Sequence, residues 1–167
     1  MTALSVEEPF RIPNPLDIIE EYVSANEWPF ERPADDEMLV EVGGRWGNYQ
    51  LYFYWREDFN ALQFTCQMDL RVPGHRTSAV NDLLVEINRR MWLGHFDLCP
   101  EHAIPLFRHT IPLRGLPGVS PEQVEDVVDV ALNECERYYP AFQFVIWGGK
   151  SAAEAVSAAI LDTVGEA

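Results

Sequence analysis

Four groupings have residue types that could do chemistry: the run Gly148-Gly149-Lys150-Ser151, the four histidines, a carboxylate-rich stretch from Glu122 to Asp129, and three cysteines. Gly-Gly-Lys-Ser ends the phosphate-cradling loop, whose two glycines stand five positions apart so that backbone N–H groups and the lysine reach phosphate oxygens. Here the residue five before Gly149 is Phe144, and the run follows a helical pattern instead of a strand. A glycine helix stop followed by a serine helix cap accounts for it. Two histidines that share a metal from one helix need i, i+4 spacing, which His75, His95, His102 and His109 never show. A hairpin turning at residues 99–102 would set Leu106, not another histidine, opposite His95. No specific metal or phosphate is expected to bind.

The remaining groupings are equally plain. Glu122, Glu125, Asp126 and Asp129 lie on the polar side of a helical pattern, where solvation explains them, whereas acid–base catalysis needs carboxyls whose pKa is moved by burial. No serine stands in a Gly-x-Ser-x-Gly setting, and no cysteine opens a helix. Cys66 and Cys135 fall in apolar stripes and Cys99 in a turn, so they read as reduced thiols with no Cys-x-x-Cys pair and no disulfide framework. No catalytic residue, cofactor or metal ligand can be nominated, and the chain is expected not to be an enzyme.

Composition narrows the partners. A net charge of −15, from 27 acidic against 12 basic residues, repels nucleic-acid phosphates and anionic membranes. No apolar run approaches the roughly 20 residues of a membrane span, and the first residues lack a signal-peptide pattern, so a cytoplasmic protein is expected. With 167 residues and 47% hydrophobic content the chain suits one domain with a substantial core. Residues 1–13 read as a flexible arm and 14–167 as the domain.

The stretch from Trp46 to Leu70 carries the clearest structural signal. Tyr49, Leu51, Phe53 and Trp55 alternate with polar or half-polar residues, then Leu62, Phe64, Cys66 and Met68 do the same after a short connection. That period of two predicts strands with one buried face. Pairing Arg56 with Ala61 sets Trp55 against Leu62, Phe53 against Phe64, Leu51 against Cys66 and Tyr49 against Met68; a one-residue slip would lose all four apolar pairs. Tyr52 and Tyr54 fall on the opposite face beside Thr65 and Gln63. They are candidates for a protein contact, because exposed aromatic residues on a sheet mark an interface or a covering helix.

The elements around this hairpin follow from caps and stripes. Asn14-Pro15 opens a helix whose apolar face is Leu16, Ile19, Tyr22 and Val23. Pro29 and Pro33 break the chain before a strand through Met38, Val40 and Val42. Thr77 or Ser78 opens a second helix with Val80, Leu83, Leu84, Ile87 and Met91, ending near Gly94. A second hairpin surrounds residues 99–102, and Pro105 and Pro112 suggest that its later strand lies at an edge or bulges. Ser120 to Gln123 is a capping box that opens the longest stripe, Val124 to Tyr139, which Pro140 should kink or interrupt. A last helix starts at Ser151. The fold expected is α+β, a five-stranded antiparallel sheet with element order α-β-β-β-α-β-β-α(-α).

That order, together with the segments RWGNYQLYFYWREDFNALQFTCQMDL (45–70), INRRMWLGHFDL (87–98), FRHTIPLRG (107–115) and CERYYPAFQFVIWGGKS (135–151), resembles the YbjN-domain family. The second-helix pattern Asn88, Trp92, Gly94, Phe96 and the run Tyr138-Tyr139-Pro140-Ala141-Phe142 carry the likeness most specifically. The resemblance implies a bacterial regulator of sensory transduction or stress with no catalytic residues. It also implies a fold similar to the type III secretion chaperones, small acidic proteins that bind protein segments as homodimers. The expected function is therefore a non-enzymatic, protein-binding regulator or chaperone-like adaptor, as a homodimer with a further protein partner; the alternative is a small-molecule-binding sensor domain. Met91, Trp92 and Phe96 are the candidate contact residues beside Tyr52 and Tyr54, since the helix stripe already uses Val80, Leu83, Leu84 and Ile87 for the core. The rival account buries this surplus under the last helix.

Overall fold

The computed structural model describes residues 10–165, with side chains through Leu161. The expected arm lies outside the described residues from 1 to 9, and residues 10–14 form neither helix nor strand. Order starts where the cap predicts: Asn14 Oδ1 accepts the Leu16 N–H at 3.0 Å, and Pro15 takes the first position of helix α1, Pro15–Ala25. Strands β1 (Phe30–Ala34), β2 (Glu37–Gly43), β3 (Asn48–Arg56) and β4 (Ala61–Gln67) follow. After a 3-10 turn at Gly74–Arg76 come α2 (Thr77–Asn88), β5 (His95–Leu98), β6 (Pro105–Pro112), α3 (Pro121–Ile146) and α4 (Ala152–Gly165).

All six strands form one antiparallel sheet in the order β1-β2-β3-β4-β6-β5. The β3–β4 register is the one the apolar pairs dictate, with Phe53 opposite Phe64 and their ring centroids 4.9 Å apart. Helix α1 lies against β2 and β3, and α3 against β6, while α4 packs on α2 and α3. The covered face carries Met38, Val40, Leu51, Phe53, Leu62, Phe64, Phe107 and Phe96, all buried. Burial of that apolar surface is the main stabilising term, at about 25 cal/mol per Å² removed from water.

Five expectations need correction. The sheet has six strands, not five: Phe30–Ala34 pairs with β2 as an edge strand, and Pro33 lies where the register shifts between Glu31 and Ala34. A proline at a bulge on an edge removes no ladder bond that the sheet needs. Strand β6 is internal, between β4 and β5, because Pro105 and Pro112 stand at its two ends. His95 faces Arg108 and Leu106 faces Asp97, since the connection runs longer than the four-residue turn assumed. Helix α2 stops at Asn88, and α3 runs unbroken through Pro140.

Two thiols meet where α3 crosses β4: Cys66 Sγ and Cys135 Sγ are 3.8 Å apart and buried. The end of α3 is held by Arg76, whose guanidinium donates twice to the Val145 carbonyl. Gly149, at φ +64, and Ser151, whose Oγ accepts the Glu154 N–H at 3.3 Å, stop one helix and cap the next.

Candidate functional site

The turn from α2 into β5 holds the signature residues Asn88, Trp92, Gly94 and Phe96. Asn88 closes the helix and turns its amide onto the edge strand, accepting the Phe96 N–H at 2.7 Å and donating to the Phe96 C=O at 2.9 Å. Gly94 has φ +68, and a Cβ there would overlap the Phe107 ring, so this position requires glycine on both conformational and steric grounds. Phe96 is 2% exposed and packs edge-on to Phe107 and Tyr138, with Phe142 also in contact. It is a core residue and offers nothing to a partner, which corrects its place among the contact candidates.

Trp92 is different. It is 78% exposed, so neither α4 nor any other described element covers it. Met91 is half-buried against the core beside it. On the preceding helix Val85 is 59% exposed, and Glu86 pairs with Arg90 at 3.2 Å and Arg89 at 3.5 Å. Val85 and Arg89 belong to the exposed stripe complementary to the buried one, and the helical periodicity of the sequence is the signal that marks them.

The second candidate surface is the sheet face opposite the helices. Leu39, Tyr52, Thr65, Arg108 and His95 form one row across five strands. Tyr52 is half-buried and its hydroxyl donates to Gln50 Oε1 at 3.1 Å; Tyr54 is 36% exposed, with the Arg56 guanidinium 5.8 Å from its ring. Tyr52 and Tyr54 are thus neither under a helix nor in the same place as Trp92, and the structure does not bring the two candidate groups together into one site.

The chemical groupings stay apart. Among the described residues no three His, Cys, Asp or Glu side chains are placed to hold a metal ion. Burial pushes the Cys135 thiol well up, as does its contact with Cys66, which removes the thiolate that reactivity needs. Burial likewise raises Tyr22 to about 12, helped by Asp129 and Glu125 across the α1–α3 contact. An open groove of about 420 Å³ is lined by Phe10, Ile12, Asn60, Arg114, Gly115, Leu116 and Pro117. Among the described residues no helix is long and apolar enough to cross a membrane.

Comparison with solved structures finds similarity to the crystal structure of YbjN, a putative transcription regulator from E. coli, with a TM-score of 0.51 at 13% identity. The match covers 72% of this chain and 85% of that one, and at such identity it shows a common fold. A search of curated proteins finds no match. The sequence profile of YbjN, described as "Putative bacterial sensory transduction regulator", matches residues 15–144, from the start of α1 to near the end of α3. That span takes in the whole sheet and the Asn88–Phe96 turn: the chain belongs to the YbjN family.

Proposed function

We propose that the chain is a non-enzymatic, protein-binding regulator, a chaperone-like adaptor in sensory or stress signalling that acts as a homodimer. One observation carries this reading. Of the four residues in the Asn88–Phe96 signature, three have an internal task, while Trp92 projects into solvent with none. A large exposed aromatic is the kind of anchor on which protein interfaces concentrate their binding energy. The regulator family supports the same reading, and the chaperone fold that the sequence resemblance implies adds an analogy alone.

A small-molecule sensor is the second reading, favoured by the groove at Phe10 and Arg114. That groove is open, whereas small ligands are usually enclosed over most of their surface. A photoreactive amino acid at position 92 tests the protein-contact reading in cells: covalent protein adducts are expected there and not at exposed position 122 on α3. No adduct at position 92 would overturn it.

A further inference from the structure

We infer that Cys66 and Cys135 form a latent disulfide, a redox-sensitive link that a hydroperoxide closes between the sheet and α3. The inference concerns an input to the protein and does not rest on the protein-contact reading above. The Cys135 S–H points at Cys66 Sγ across 3.8 Å, although the two residues stand 69 positions apart, one on α3 and the other on β4. A disulfide bond is about 2.05 Å long, so each sulfur has to move by roughly 1 Å, which small rotations about the two Cα–Cβ bonds provide.

The surroundings favour a disulfide over a metal bridge. Both cysteines are fully buried, and Cys66 has Leu51 on one neighbouring strand and Phe107 on the other. Among the described residues no charged side chain is buried. A soft metal ion would need both sulfurs as thiolates, two charges in an apolar core, whereas the disulfide carries none. Cys99 stands apart in the β5–β6 connection.

The step balances with hydrogen peroxide as the oxidant. One sulfur attacks a peroxide oxygen, the O–O bond breaks, and the thiol proton leaves with the displaced hydroxide as water. The sulfenic acid so formed has the second sulfur beside it; that sulfur attacks, the S–O bond breaks, and a second water is released. Burial keeps the Cys135 thiol protonated, so the first attack waits for a transient opening between α3 and β4, and the pair answers sustained oxidant instead of a brief pulse. Once closed, the bond holds α3 on the sheet and encloses α2, β5 and β6 in one covalent loop, which restricts the unfolded chain.

Peroxide treatment of the folded Cys99→Ser chain, followed by alkylation in denaturant and intact-mass measurement, tests this. The alkylatable thiols should fall from two to none, with the loss of two hydrogen atoms, a raised urea midpoint and full reversal by dithiothreitol. The same treatment in urea should give sulfinic acids in place of the link, because the unfolded chain no longer holds the sulfurs together. In the native chain, a proteolytic map should join the Cys66 peptide to the Cys135 peptide and leave Cys99 outside the link, which keeps the test decisive if the variant folds poorly. Two thiols that survive treatment, oxygen added to either cysteine of the folded chain without a link, or a link made through Cys99 would overturn the inference.

Discussion

The Asn88 side chain binds the Phe96 peptide as a neighbouring strand would, taking its N–H at 2.7 Å and giving a hydrogen to its carbonyl at 2.9 Å. One amide thereby fixes the angle between α2 and β5 and closes the edge of the sheet. Asn88→Ala leaves both backbone groups of a part-buried peptide without protein partners, a loss of about 2–3 kcal/mol. Asn88→Asp retains the acceptor and loses the donor, so its urea midpoint should fall between those of the native chain and Asn88→Ala.

Gly94 and Gly115 separate backbone strain from steric overlap. Both have positive φ, +68 and +85, but a Cβ at Gly115 meets nothing within 4 Å while one at Gly94 overlaps Phe107. Alanine at 115 should cost about 1–2 kcal/mol, and alanine at 94 about 2–4 kcal/mol once overpacking is added. Equal losses in urea denaturation would contradict the crowding at Gly94.

The thiols should divide by burial. Cys66 and Cys135 are buried and in contact, and Cys99 is half-buried. A thiol-specific reagent at pH 8 should modify one cysteine promptly and the other two only after denaturant is added. Rapid reaction of all three in the folded chain would show that α3 separates readily from β4.

Acid should weaken the fold through His109. Burial holds its pKa below 6.5, with a smaller contribution from His95. Since the folded pKa is depressed, the unfolded chain takes up the proton first as pH falls. Stability attributable to this residue is therefore complete above about pH 6.5 and declines below it until the folded pKa is passed. Relative to the native chain, His109→Gln should show a shallower loss of stability between about pH 6.5 and 5; parallel pH curves for the two would remove His109 as the cause.

Much of this fold was legible because some signals are redundant. The β3–β4 register satisfies several apolar pairs at once, and the Asn14 and Ser120 caps combine a side-chain acceptor with a following proline. Strand β1 was hidden because Pro29 and Pro33 are breakers in isolation, and only its edge position makes them harmless. The end of α2 was hidden because Met91 fits the apolar spacing, while the actual stop is the pairing of the Asn88 side chain with β5 across the following turn. Of the candidate contacts, Trp92 could be recognised as surplus from the helix pattern, but Phe96 could not be separated from it, since neighbouring aromatic residues on a turn look alike until the sheet decides which one faces Phe107.

The central claim is that Trp92 serves contact with another chain and not the stability of its own. Sedimentation equilibrium of the native chain and Trp92→Ala across micromolar concentrations, with urea denaturation of both at the dilute end, tests it directly. The native mass should rise with concentration, Trp92→Ala should remain monomeric, and the two unfolding free energies should agree within about 0.5 kcal/mol, as for a surface substitution. A substitution that lowers stability and leaves the mass unchanged would contradict the account and make Trp92 a cover for the chain's own core.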